Sequence, residues 1–127
     1  MVKRKKASKE ELTAIYGIEW VMVECKNRDG KLIPALMGKD VTASFREDGV
    51  LNGSAGCNRY MGKFTFENDV LKVGPLASTM MYCPEPGIME QEYDFLRAMQ
   101  SVMSFRFDGE QLLMLDASNE TAIIFKK

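Results

Sequence analysis

The side chains best equipped for chemistry in this sequence are two cysteines, Cys57 and Cys83, which bracket a run rich in glycine and methionine. A third, Cys25, lies far upstream, and the chain has no histidine. Three readings of the Cys57 and Cys83 pair stand open. They form a disulfide, closing a loop of about 26 residues worth about 3 kcal/mol in chain entropy. They are buried thiols that pack as small hydrophobes. Or one is a nucleophilic or redox thiol, which needs a lowered pKa and a neighbouring base. No imidazole can be that base, although Lys63 or a helix terminus could lower a thiol pKa. A zinc site needs four ligands, usually Cys and His. Three thiols without C-x-x-C spacing do not supply one, so neither a metal nor a cofactor is expected.

Around Cys57 runs Gly53-Ser-Ala-Gly-Cys-Asn-Arg-Tyr-Met-Gly62. Three glycines in ten residues suggest a tight, irregular path after a strand. A phosphate cradle would need a following Gly-Lys-Ser/Thr or a Gly-x-Gly-x-x-Gly opening a helix, and neither occurs. Asn58 is expected to make a local side-chain to backbone turn bond. Tyr60 is expected to pack its ring with the hydroxyl at the surface, and Arg59 to be a solvated charge. The functional alternative puts Arg59 and Tyr60 on a partner surface, since both residue types are enriched in interface hot spots. Ten methionines are many for this length. Met61, Met80, Met81, Met99 and Met103 either fill the core or line an adaptable groove for a lipid or hydrophobic peptide. Arg59, Tyr60, Met80 and Met81 are the candidate partner-binding residues. Carboxylates Glu85, Glu90, Glu92 and Asp94 cluster further on, with Glu90 and Asp94 four apart. An acid/base pair would need a cleft and split pKa values. At a helix start the dipole favours such charges in solvent, and that reading is adopted.

The elements that position these residues are mostly strands. Ile18 to Glu24 is apolar on both faces, as a covered central strand requires. Val41, Ala43 and Phe45 alternate inward. Asp48-Gly49 links this strand to Val50–Ser54. Asn68-Asp69 joins Phe64–Phe66 to Val70–Val73, and Asp108-Gly109 joins Phe105–Phe107 to Leu112–Leu115. Ser118-Asn119 leads into Thr121–Phe125. Between Gly87 and Met103, Ile88, Tyr93, Phe95, Leu96, Met99, Val102 and Met103 form one broad helical stripe. A helical turn is expected from Leu12 to Tyr16. The fold class is therefore α+β, mainly antiparallel β, with about seven or eight strands in a curved, barrel-like sheet and a main helix over about 87–103.

The 127 residues suit one domain, and 46% hydrophobic content argues against disorder. A net charge of -1 draws the protein to neither nucleic acid nor an acidic surface. Lys3, Arg4, Lys5, Lys6 and Lys9 mark residues 1 to 11 as a loose basic tail before a domain over 12–127. No apolar run could span a bilayer, and no apolar region follows the basic start as a signal peptide would need. An envelope location is expected if a leader preceded Met1, and a cytoplasmic one otherwise.

Gly56-Cys-Asn-Arg-Tyr-Met-Gly62, then Leu71-x-x-Gly-Pro-Leu-Ala-Ser-Thr-Met-Met-x-Cys83, then the acidic helix start at Glu90, resembles the META/HslJ domain family. That family's Gly-Cys-Asn-x-Tyr/Phe-x-Gly element matches Gly56, Cys57, Asn58, Tyr60 and Gly62. Its Thr-x-Met-x-Cys element matches Thr79, Met81 and Cys83, and Trp20 opens the first strand. The resemblance implies a small α+β domain with a barrel-like antiparallel sheet and a packed helix. It also implies a bacterial envelope setting, often as a lipoprotein, with links to heat shock, novobiocin resistance and parasite virulence. It implies no defined activity. The expectation is a monomeric, non-catalytic envelope domain that binds a protein, peptide or lipid. The alternatives are a thiol- or carboxylate-dependent enzyme and a structural module of a larger assembly.

Overall fold

The computed structural model describes residues 8–127, so the basic cluster Lys3 to Lys6 lies outside the described residues. The first helix, α1, spans Lys9–Thr13. Ser8 accepts the Glu11 backbone N–H and donates its own N–H to the Glu11 carboxylate, both at 3.1 Å. This reciprocal cap starts the helix earlier than the apolar spacing from Leu12 predicts, inside the stretch expected to be loose.

Ten strands follow: β1 (Trp20–Lys26), β2 (Leu32–Pro34), β3 (Thr42–Phe45), β4 (Val50–Ser54), β5 (Arg59–Glu67), β6 (Val70–Val73), β7 (Ala77–Ser78), β8 (Val102–Asp108), β9 (Gln111–Asp116) and β10 (Thr121–Lys126). Their order is β6-β5-β4-β3-β1-β10-β9-β8, with β2 on β1 and β7 on β5. Every pairing is antiparallel. The end strands β6 and β8 lie side by side without a hydrogen-bonded ladder, so the curved sheet stays open. The expected hairpins are present. Asn68 and Asp69 take φ of 52° and 64°, the paired left-handed geometry that matches strand twist. The two extra strands, β2 and β7, have three residues and two, too few to carry a period of two.

The core fills the curve. Trp20, Phe45, Phe95, Phe105 and Phe125 are fully buried, and the Trp20 indole N–H donates to the Ile15 carbonyl at 3.1 Å. Val41, Ala43 and Phe45 are buried as their alternation predicts. The main helix, α2 (Ile88–Gln100), lays Ile88, Phe95, Ala98 and Met99 onto the sheet. It ends before Val102 and Met103, which instead open β8 after the Ser101 cap. Tyr93 also leaves the predicted stripe: it is exposed and lies under the Arg28 guanidinium, 4.9 Å from ring centroid to Cζ.

The run from Arg59 through Gly62, expected to be irregular, belongs to a regular strand. Irregular backbone is confined to the turn after β4, where Gly56 has φ 107°. Gly53 serves a close approach, because a Cβ there would overlap the Thr42 carbonyl. Gly53→Ala is expected to lower stability by about 1–3 kcal/mol through this overlap, read as a shifted urea midpoint. Gly74→Ala, whose added methyl would sit 3.4 Å from the nearest atom, is expected to leave the midpoint nearly unchanged.

Candidate functional site

The turn between β4 and β5 places Asn58 in the interior, 2% exposed. Its side-chain carbonyl accepts the Met81 N–H at 2.7 Å and the Thr79 hydroxyl at 2.8 Å. Its side-chain NH2 donates to the Met81 carbonyl at 3.0 Å and to Glu92 Oε2 at 2.7 Å. Its backbone N–H donates to Glu92 Oε1 at 2.7 Å. Both lone pairs and both amide hydrogens of Asn58 are engaged, which is all this side chain can offer. The expected local turn bond is thus replaced by a bridge among three segments: the turn, the irregular stretch after β7, and α2.

Glu92 is the other half of that bridge and is 6% exposed. The solvated reading of the carboxylate cluster therefore fails for Glu92, and also for Asp94, which is equally buried and accepts from Arg28 Nε at 3.3 Å. It holds for Glu90 and for Glu85, which pairs with Lys39 at 3.1 Å. The overlooked signal lies in the helix period. Ile88, Glu92, Phe95 and Met99 fall on one face, so a carboxylate interrupts the buried stripe.

Cys57 and Cys83 are joined by a disulfide with Cα atoms 5.9 Å apart. Cys25 is free and buried, and burial together with the nearby Asp94 pushes its thiol up to about 12. Residues 79–83 are held at three places: by the Thr79 N–H on the Arg59 carbonyl at 3.0 Å, by Met81 on Asn58, and by the disulfide. Their backbone bonds inward while the side chains of residues 80–82 face water. Met80 is 95% exposed, Tyr82 77% and Met81 57%.

Thr79 also lines an open groove of about 510 Å³ with Asn52, Arg59, Tyr60, Met61, Ala77 and Ser78. Of the candidate binding residues, Arg59 lines this groove, while Met80 and Met81 are exposed on the segment that follows Thr79. Tyr60 borders the groove as well, but its side chain turns inward. It is 2% exposed, its hydroxyl donates to the Thr42 carbonyl at 2.6 Å, and its ring meets Phe95 edge-on at 5.4 Å. Burial raises its pKa well above the ordinary tyrosine value. Strand alternation is the reason: in β5, residues 59 and 61 point out and 60 points in. Met99 is core, Met103 is half-buried and Met61 is exposed, so the methionines do not share one environment. A second, smaller cavity of about 210 Å³ is lined by Lys26, Arg28, Arg97 and Asp116, whose charges already pair among themselves or with Asp94. Among the described residues no cluster of His, Cys, Asp and Glu could hold a metal, and no helix is long and apolar enough to cross a membrane.

The META domain family matches residues 10–127, from α1 to the end of the chain. The chain belongs to the META domain family. The fold recurs in the NMR structure of a protein from Burkholderia xenovorans, 23% identical, with a TM-score of 0.74 over 99% of this chain and 92% of that one. It recurs also in the crystal structure of a DUF4847 family protein from Bacteroides vulgatus, 16% identical, with a TM-score of 0.62 over 94% and 96% of the two chains. No curated protein matches the sequence.

In this META domain, Glu92→Gln would turn an NH2 toward the donors of Asn58. The change is expected to cost about 2–3 kcal/mol in chemical denaturation, against less than about 0.5 for Glu90→Gln. Reduction, or Cys57→Ser with Cys83→Ser, is expected to cost about 3 kcal/mol for a loop of this size. Cys25 is expected to resist iodoacetamide at pH 8 until the protein unfolds, because so little of a thiol raised to about 12 is ionised there.

Proposed function

We propose that this META domain is a non-catalytic binding module of the bacterial envelope that engages a partner protein through the surface carrying Met80, Met81 and Tyr82. The observation that carries this reading is the exposure of three consecutive large apolar side chains on a backbone fixed by a disulfide and by Asn58. Exposed apolar groups held in place are costly in water unless a partner covers them. Methionine adapts its shape to such a partner, and a fixed backbone reduces the ordering cost of docking.

Three features support a non-catalytic role. Cys57 has no free thiol, Cys25 is buried and protonated, and Glu92 and Asp94 are engaged in structural bonds. The disulfide supports an oxidising compartment, where such bonds persist.

The test is a photo-crosslinking residue at position 80, introduced into the protein in its own host. One discrete adduct is expected, and it should vanish with Met81→Glu while the unfolding free energy in urea stays within about 0.5 kcal/mol of the parent. A crosslinking pattern no different from that of a probe at exposed Lys126 would remove the proposal.

A further inference from the structure

We infer that the groove lined by Asn52, Arg59, Met61 and Ala77 receives an extended peptide segment of the partner, with an acidic side chain seated on Arg59. The inference rests on the binding-module reading and names the chemistry that the module recognises.

The argument starts from register. Asn52 pairs with Met61, and Met61 with Ala77, across β4, β5 and β7. Ser54 pairs with Arg59, whose carbonyl takes the Thr79 N–H. Two rows of side chains therefore cross one face of the sheet: Asn52, Met61, Ala77, and then Ser54, Arg59, Thr79. The rows are two residues apart along β5, about 7 Å. That is also the spacing of successive same-side residues in an extended peptide, so such a peptide presents one side chain to each row.

The rows differ in chemistry. The first is apolar at Met61 and Ala77, and both are exposed. The second has a guanidinium. Arg59 forms no ion pair with any described residue, and the Asn52 amide makes no hydrogen bond to one. A guanidinium matches a carboxylate through two parallel bonds. A primary amide offers a donor and an acceptor, the complement of a peptide group. A lipid chain would cover Met61 and Ala77 but would leave the Asn52 amide desolvated and unpaired. A peptide satisfies both.

The experiment pans a random heptapeptide display library on the full chain and measures the enriched peptides, synthesised with a fluorophore, by anisotropy. Enriched sequences are expected to carry Asp or Glu two positions from an apolar residue. Arg59→Glu, or Asp→Asn in the peptide, is expected to weaken binding roughly tenfold or more. Arg59→Gln serves as a second variant, and urea midpoints confirm that both variants fold. Enrichment without an acidic residue, affinity indifferent to Arg59, or no enrichment at all overturns the inference. So does displacement of the peptides by dodecanoate, which would assign the groove to an acyl chain. Peptides that lose affinity with Met81→Glu but not with Arg59→Glu would overturn it while leaving the binding-module reading intact.

Discussion

A buried carboxylate sets the terms for this domain. Glu92 sits on the core-facing side of α2, 6% exposed, where an unpaired charge would cost several kcal/mol. It is stable there because Asn58 donates to both of its oxygens, one from the backbone and one from the side chain. Asn58 can hold that position only while its remaining groups are also satisfied, and Thr79 and Met81 satisfy them. Helix, turn and exposed segment are therefore mutually dependent. Any one of them displaced leaves a buried polar group without a partner.

The disulfide reinforces this arrangement from the next residue. Cys57 precedes Asn58, and Cys83 lies two residues beyond Met81, so a covalent clamp and a hydrogen-bonded clamp act on the same two stretches of chain. Residues 79–83 have no regular secondary structure, yet their path is defined. The outcome is an apolar surface displayed on fixed backbone, with the interior chemistry consumed in holding it. This division ties the most distinctive stretch of the sequence to what the domain presents at its surface.

Much of the fold was legible because hairpins announce themselves locally. Asp-Gly and Asn-Asp turns and alternating runs such as Val41 to Phe45 need only neighbouring residues to be read. The site was harder, because its contacts join residues far apart in the chain. Spacing alone could not distinguish a disulfide from two separate thiols at Cys57 and Cys83. Three glycines make the run around Tyr60 look irregular, which hides the strand alternation that turns its ring and hydroxyl inward. By composition Glu92 belongs with its acidic neighbours, although its place between Ile88 and Phe95 on the helix period marks it as inward. The apolar ring of Tyr93 suggests an inward position, whereas Arg28 offers that ring a partner at the surface.

The most direct test of the bridge is native-state hydrogen exchange at the Met81 amide. Met81 is mostly exposed and lies outside any helix or strand, so by secondary structure alone its N–H should exchange as freely as that of a loop. Donated to a fully buried Asn58 oxygen at 2.7 Å, it is expected to exchange only when the domain opens, with protection close to that of the β5 core amides. Exchange at the rate of unstructured chain would contradict the account.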